Sequence, residues 1–79
     1  QSCFLYFLVK MTALAVQIGQ IIRQKRTESN ITQESLALKC EIDRSYLGRI
    51  ERGEVNLTVD KLYQIAQVLQ ISPKDLLPD

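Results

Sequence analysis

One local pattern occurs four times in this chain and marks where its helices begin. Each time, a residue that commonly caps a helix N-terminus follows an apolar residue and precedes a leucine by four positions. The two apolar side chains flanking such a cap pack on each other, so the arrangement is typical of a helix start. The four capping residues are Thr32, Asp43, Thr58 and Ser72. Pro73 strengthens the last start because its fixed φ suits the first helical position.

A further helix is predicted from periodicity near the N-terminus. Between residues 12 and 27, apolar side chains recur at steps of three and four, the period of an amphipathic helix. These side chains are Leu14, Ile18, Ile21 and Ile22. The helices predicted are 12–27, 32–40, 43–52, 58–69 and 72–77. Because no segment alternates polar and apolar residues for long, we predict an all-α fold, a compact five-helix domain.

Length and composition limit the classes of protein that the chain can belong to. At 79 residues it can bury one modest core, so a single domain is expected. It has no histidine, and its two cysteines, Cys3 and Cys40, lack any metal-binding spacing. We therefore expect no metal, no cofactor and no disulfide, and a reducing, cytoplasmic location. An enzyme is disfavoured, since neither paired carboxylates in an evident pocket nor a glycine-rich phosphate loop is present.

The first residues differ in composition from the rest. Residues 1–11 form an apolar N-terminal extension with one Lys, and residues 12–79 form the predicted domain. The apolar run from Cys3 to Val9 is too short to span a bilayer, so no membrane association is expected. Met11 would make a natural start, which leaves two alternatives: residues 1–10 are foreign to the natural protein, or they come from an upstream start. In either case we expect them to pack on this domain or on a partner chain.

The most informative spacing lies between the second and third predicted helices. Only Glu41 and Ile42 separate Cys40, near the end of one, from Asp43, the cap of the next. So tight a turn makes two helices cross steeply, as in a helix-turn-helix, whose second helix enters the major groove of DNA. Arginine can donate two parallel hydrogen bonds to guanine there. The residues assigned to base reading are Arg44, Ser45, Gly48 and Arg49. Without the tight turn before it, the segment RSYLGR would be interpreted as an ordinary solvated helix face.

Other polar residues around this helix are assigned to the phosphate backbone. Free amides and side-chain donors at helix starts suit phosphate oxygens, which set register rather than sequence preference. The residues assigned to this role are Gln33, Tyr46, Arg52, Asn56, Thr58 and Lys61. Gln33 and Thr58 also have a plain capping or surface explanation, and Tyr46 could equally be partly buried beside the turn.

The stretch from Ile18 to Leu77 resembles the lambda and 434 repressor/Cro family, also called the xenobiotic-response-element-type helix-turn-helix family. Within that family, DRSYLGRIERG followed by Asn56 is similar to the controller proteins of restriction-modification systems. Those are small dimeric regulators that activate or repress their own promoter. They tend to carry Arg or Lys just before the Asn, whereas this chain has Val55, so a cationic loop contact is not carried over.

The resemblance implies two further features. One is a buried ion pair between the ends of the first and third helices, which maps to Arg26 and Glu51. The other is pairing through the C-terminal region, where the crowded apolar residues exceed what so small a domain could bury. The residues assigned to the dimer interface are Leu69, Ile71, Leu76 and Leu77. A two-fold dimer would place the two reading helices roughly 34 Å apart, on an inverted repeat.

The sequence thus predicts a DNA-binding transcriptional regulator that acts as a homodimer and gives or blocks access for RNA polymerase. No small-molecule ligand is evident. The alternative is an antitoxin-like module that binds a partner protein through the same fold, with residues 1–10 as its candidate partner-binding segment.

Overall fold

The computed structural model describes the backbone of residues 2–78 and the side chains of residues 13–78. Its elements are α1 (Ser2–Glu28), α2 (Gln33–Lys39), α3 (Arg44–Glu51), α4 (Val59–Leu69) and a closing 3-10 helix (Pro73–Leu76). No strand occurs in residues 2–78, which confirms the all-α prediction.

The prediction of five α-helices is wrong in its last member. Residues Pro73–Leu76 form one short 3-10 turn, in which the amide of Leu77 donates to Lys74 O over 3.2 Å. Pro78 follows directly and has no amide hydrogen with which to continue a helix. The segment between the two prolines is therefore too short for an α-helix.

The first helix also begins ten residues earlier than predicted, at Ser2 instead of Thr12. Residues 2–11 contain neither Gly nor Pro, so nothing in the backbone interrupts the helix there. The expectation that residues 3–9 pack on this domain or a partner concerns side chains outside the described residues. Leu14, placed on the apolar stripe by its spacing, is 46% exposed, so the buried part of α1 begins further along the helix.

All four helix starts predicted from the capping pattern are found, with the cap residues where they were expected. The hydroxyl oxygens of Thr32 and Thr58 accept hydrogen bonds from the amides three residues later, at 3.0 and 3.2 Å. Asp43 and Ser72 hold the cap positions without a side-chain hydrogen bond, so their backbone conformation alone starts the helix.

The four α-helices end in one shared way. A residue in the left-handed region follows or closes each of them, with φ between 58° and 76°. The next amide then donates to a carbonyl five residues back in the helix, at 2.9 to 3.1 Å. This arrangement satisfies carbonyls that a helix end would leave free and turns the chain sharply. The four amides belong to Ile31, Ile42, Glu54 and Ile71.

The core lies where α1, α2, α3 and α4 meet. Its largest fully buried side chains are Ile22, Leu36, Leu47, Ile65, Leu76 and Cys40. The isoleucines that follow α1, α2 and α4 are half-buried against this core. The sharp helix ends therefore also direct apolar side chains inward, which holds the short helices together.

Candidate nucleic-acid interface

The position of α3 is set by the turn that precedes it. Glu41 adopts a left-handed conformation, and the amide of Ile42 donates to Ala37 O at 3.0 Å. Ile42 then packs against the core, so the turn is held to α2 by its backbone and to the core by its side chain. A fixed turn gives α3 a fixed orientation, with one side facing α1 and α2 and the other facing solvent.

α1 holds the far end of α3 by close backbone approach. A Cβ added at Gly19 would meet the carbonyl oxygens of Ile50 and Glu51, the latter at 2.6 Å. Only a glycine leaves room for the two backbones at this crossing. The two ends of α3 are thus located by different parts of the fold.

The solvent side of α3 is polar and positive. Arg44, Ser45, Arg49 and Arg52 are all exposed, as the sequence predicts, whereas Leu47, Ile50 and Glu51 are buried. Guanidinium groups on an exposed helix offer paired donors suited to phosphate oxygens and to guanine edges.

Gly48 departs from the prediction, because it is buried and not exposed. It lies on the same face as Arg44 and Arg52, but the side chain of Arg52 covers it. A Cβ built at Gly48 would stand 3.1 Å from Arg52 Nη1 and 3.9 Å from Gln33 Oε1. The missing side chain makes space for these neighbours in the free protein, so an exposed base-contacting role for Gly48 is not supported.

Behind this face lies a buried ion pair between Arg26 and Glu51. Arg26 Nε donates to Glu51 Oε2 at 2.7 Å and Nη2 to Oε1 at 3.2 Å, while Nη1 donates to Ile31 O at 2.8 Å. Gln33 Nε2 adds a bond of 2.8 Å to Glu51 Oε1. The paired charges join the end of α1 to the end of α3. Every buried side-chain nitrogen and oxygen atom in residues 13–78 has a hydrogen-bond partner.

An open hollow of about 610 Å³ lies beside the pair, between α1 and the starts of α2 and α3. Its lining residues are Arg23, Arg26, Thr32, Gln33, Glu34, Arg44, Glu51 and Arg52. Since Arg26 and Glu51 neutralise each other, Arg23, Arg44 and Arg52 remain against Glu34 in the lining, and Arg52 is also paired with the exposed Glu54 at 2.7 Å. This hollow suits an anion such as a phosphate group. Arg23 was not among the predicted site residues, although its position one turn before Arg26 was an available signal.

A second hollow lies on the other side of α3. It is formed by the turn before the helix together with Ser45, Tyr46 and Arg49. Tyr46 is half-buried and packs against the core. Of the two alternatives for this residue, partial burial beside the turn is the one that describes the structure. Ser45 and Arg49 remain exposed at the rim.

The other residues assigned to phosphate contacts are more dispersed. Thr58 caps α4, and Lys61 Nζ lies 3.4 Å from Gln64 Oε1. Asn56 is exposed beside an apolar groove between α1 and the segment before α4. The side-chain nitrogen Nε2 of Gln33 already donates a hydrogen bond to Glu51. None of Asn56, Thr58 and Lys61 lines the arginine-rich hollow.

The sequence analysis also missed the carboxylate of Glu54, which lies beside Arg49 of α3 and Arg52, the residue that caps α3. Glu54 Oε2 accepts from Arg52 Nε at 2.7 Å, and its Oε1 is 3.9 Å from Arg49 Nε. The hydrogen bond from Arg52 is the main cause that lowers the pKa of Glu54, and the same bond raises the pKa of Arg52. Both groups are therefore charged at neutral pH.

Two of the residues assigned to the dimer interface lie in the core of the domain instead. Leu69 is 5% exposed and Leu76 is 0% exposed, because the 3-10 helix folds back onto α4. Ile71 is half-buried, whereas Leu77 is 45% exposed. The exposed apolar side chains on α4 itself are Val59 and Tyr63.

Among the residues that the structure describes, no helix has the length and apolar character needed to cross a membrane.

Comparisons with known proteins agree with this geometry. The control protein C.BamHI of Bacillus amyloliquefaciens is 45% identical over 60 residues, which are 75% of this chain and 74% of that protein. The crystal structure of the restriction-modification controller protein C.AhdI from Aeromonas hydrophila matches with a TM-score of 0.80 at 38% identity, over 82% of this chain and 98% of that one. The structure of SinR, a Bacillus subtilis regulator, in complex with DNA matches with a TM-score of 0.70 at 37% identity, over 75% and 95% of the two chains.

A family model described as helix-turn-helix matches residues 22–76, which include α2, the turn and α3 as well as α4 and the 3-10 helix. The match covers more than half of the chain and agrees with the family resemblance inferred from the sequence. The chain therefore belongs to the helix-turn-helix family.

Proposed function

We propose that this protein is a transcriptional regulator that binds double-stranded DNA through α3 and the arginine-rich hollow. The observation that carries the proposal is the exposed cationic face of α3, held in place by the turn and by the α1 crossing. The similarity to C.BamHI, to C.AhdI and to SinR bound to DNA supports the same role. The role is binding rather than catalysis, and it implies a location with the DNA in the cytoplasm.

Within this proposal the residues divide into two groups. Arg44, Ser45 and Arg49 lie on the first two turns of α3 and read base edges in the major groove. Arg23 and Arg52 anchor phosphates from the hollow. Arg23 has no ion pair with a residue of 13–78, and the exposed pair between Arg52 and Glu54 can exchange. Asn56 and Lys61 would contact the backbone further along the duplex.

We further propose that the protein acts as a homodimer on an inverted repeat and controls the access of RNA polymerase. With Leu69 and Leu76 buried, the dimer surface would keep the half-buried Ile71 and the exposed Leu77 of the assigned residues, together with the exposed Tyr63 of α4. A dimer doubles the phosphate contacts, which compensates for the low net charge of +1 on one chain.

The experiment that tests the proposal is selection of bound sequences from a random duplex library at near-physiological salt. We expect an inverted repeat to be recovered. Recovery of nothing above background, together with a stable complex with a second protein on purification, would favour a partner-binding module instead.

The division of roles is tested with single variants on the selected operator. Arg44→Ala is expected to relax the preference at one base position and to weaken binding by about 1 to 3 kcal/mol. Arg23→Ala should weaken all sequences alike and reduce the salt slope by about one. Lys74→Ala is the control, because it removes one positive charge from an exposed side chain on the 3-10 helix, away from α3. Equal weakening of all DNA by both arginine variants would contradict the assigned reading face.

A further inference from the structure

Glu54 holds a position that the fold otherwise gives to an apolar residue. After α1, α2 and α4 the residue whose amide closes the helix end is an isoleucine, and each of these side chains is half-buried against the core. After α3 the equivalent residue is Glu54, which is exposed. The helix end does not need a carboxylate there, so the charge points to a role other than packing.

The backbone under Glu54 is held firmly. Its amide donates to Arg49 O at 2.9 Å, and the preceding Gly53 amide donates to Ile50 O at 3.0 Å. Gly53 has φ +76°, and a Cβ there would stand 2.6 Å from Val16 Cα, so α1 presses directly on this turn. The carboxylate is therefore carried to the end of α3 by a rigid segment and not by a free loop.

From this position the carboxylate of Glu54 faces two guanidinium groups, that of Arg49 on α3 and that of Arg52, which caps α3. Its two oxygens face Arg52 Nε at 2.7 Å and Arg49 Nε at 3.9 Å. All three side chains are at least half exposed, so water and other anions reach them and the pairing can exchange. Exposed ion pairs of this kind are weak enough to be displaced by a phosphate group.

We propose that Glu54 is a built-in counter-ion that competes with DNA for Arg52 and, more weakly, for Arg49, and thereby lowers the affinity of the protein for DNA of arbitrary sequence. This inference rests on the proposed DNA-binding function. On any duplex the arginines must leave the carboxylate before they contact phosphates, and the released Glu54 then lies near negative charge. Both effects oppose binding that relies on the backbone alone, and the base contacts of an operator are left to provide the difference.

The test compares Glu54→Gln with the unmodified protein on a 20-base-pair duplex of mixed sequence, with affinity measured over a series of salt concentrations. Glutamine keeps the shape and can still accept a hydrogen bond, but it removes the charge. We expect binding to tighten by about two- to fivefold at near-physiological salt, the range of an exposed pair. The salt slope should steepen by up to about one, since no freed carboxylate then takes up a cation that offsets one released from the phosphates.

A matched control separates this effect from a change of net charge. Glu28→Gln removes the same charge from an exposed residue at the end of α1, whose hydrogen-bond partner is Gln24 and not a cation. A second comparison places Glu54→Gln in an Arg52→Ala background, where its effect on affinity should shrink because its main partner is absent.

Each outcome decides between distinct readings. If the unmodified protein binds no duplex even at low salt, the proposed function itself fails. If it binds and Glu54→Gln equals Glu28→Gln, the counter-ion inference is overturned while the proposed function stands. Weaker binding by Glu54→Gln would also overturn it, since the carboxylate would then orient Arg52 for DNA instead of competing for it.

Discussion

The buried pair between Arg26 and Glu51 allows a stability prediction of definite size. Glu51→Ala removes the partner of a guanidinium whose side chain is only 10% exposed, and Glu51 itself is 2% exposed. Removing one member of a buried pair leaves an uncompensated charge and typically costs about 3 to 5 kcal/mol. Gln33 Nε2 loses its acceptor, but Gln33 is only half-buried, so water can replace that bond. Arg26 keeps its bond to Ile31 O, which limits the cost. We therefore expect a loss near the lower end, about 3 kcal/mol.

A loss of that size is large for this chain. At about 0.05 to 0.15 kcal/mol per residue, a domain of 79 residues has a free energy of unfolding of about 4 to 12 kcal/mol. In domains this small, each kcal/mol corresponds to about 4 to 8 °C, so Tm should fall by about 12 to 24 °C. Thermal unfolding and urea unfolding, both followed by circular dichroism, measure the change.

Two further variants identify the cause. Glu28→Ala, at an exposed glutamate, should change the free energy of unfolding by less than about 0.5 kcal/mol. The double variant Arg26→Met with Glu51→Leu replaces the pair by apolar side chains and should be more stable than Glu51→Ala, because no charge is left buried. A loss below about 1 kcal/mol for Glu51→Ala would be that of an exposed pair and would refute the reasoning.

Two other predictions concern packing. Gly19→Ala should lower the free energy of unfolding by about 1 to 3 kcal/mol, since the added methyl group meets backbone oxygens of α3 that cannot move aside. Urea unfolding measures the change, and an unchanged midpoint would contradict the close crossing of α1 and α3. Burial raises the pKa of the Cys40 thiol above its ordinary value of 9.0, against a smaller lowering by the charge of Lys61. The stability that the buried protonated thiol contributes is therefore complete below the ordinary pKa and is lost as the pH rises from there through the raised pKa of the folded state. The urea midpoint should accordingly fall less between pH 8 and 10 in Cys40→Ala than in the unmodified chain. Equal falls in the two proteins would show that Cys40 is not shielded.

The start of each helix could be predicted from the sequence because capping is local. Thr32 and Thr58 accept hydrogen bonds from amides three residues later, and Asp43 and Ser72 start their helices through an extended backbone conformation. Both effects involve only neighbouring residues, so they do not depend on the rest of the fold. The tight turn before α3 follows from the same local chemistry, and with it the exposure of Arg44, Ser45 and Arg49.

Which residues are covered depended on how side chains and segments fold back onto the rest of the domain. Gly48 is covered because Arg52 folds back along α3, and Leu76 is buried because the 3-10 helix returns to the core. Periodicity shows which side of a helix is apolar, but it does not show how much apolar surface a short terminal segment can cover.

The charges of the site divide in the same way. The sequence by itself determined that α3 carries arginines and where that helix begins, since spacing and capping are local properties. Only the tertiary structure brought Arg23 beside Arg44 and Arg52, and packed α1 against the turn that carries Glu54 next to Arg49 and Arg52. The physical reason is that charges interact through space, over distances that are decided by how α1, α3 and the turn after α3 pack together.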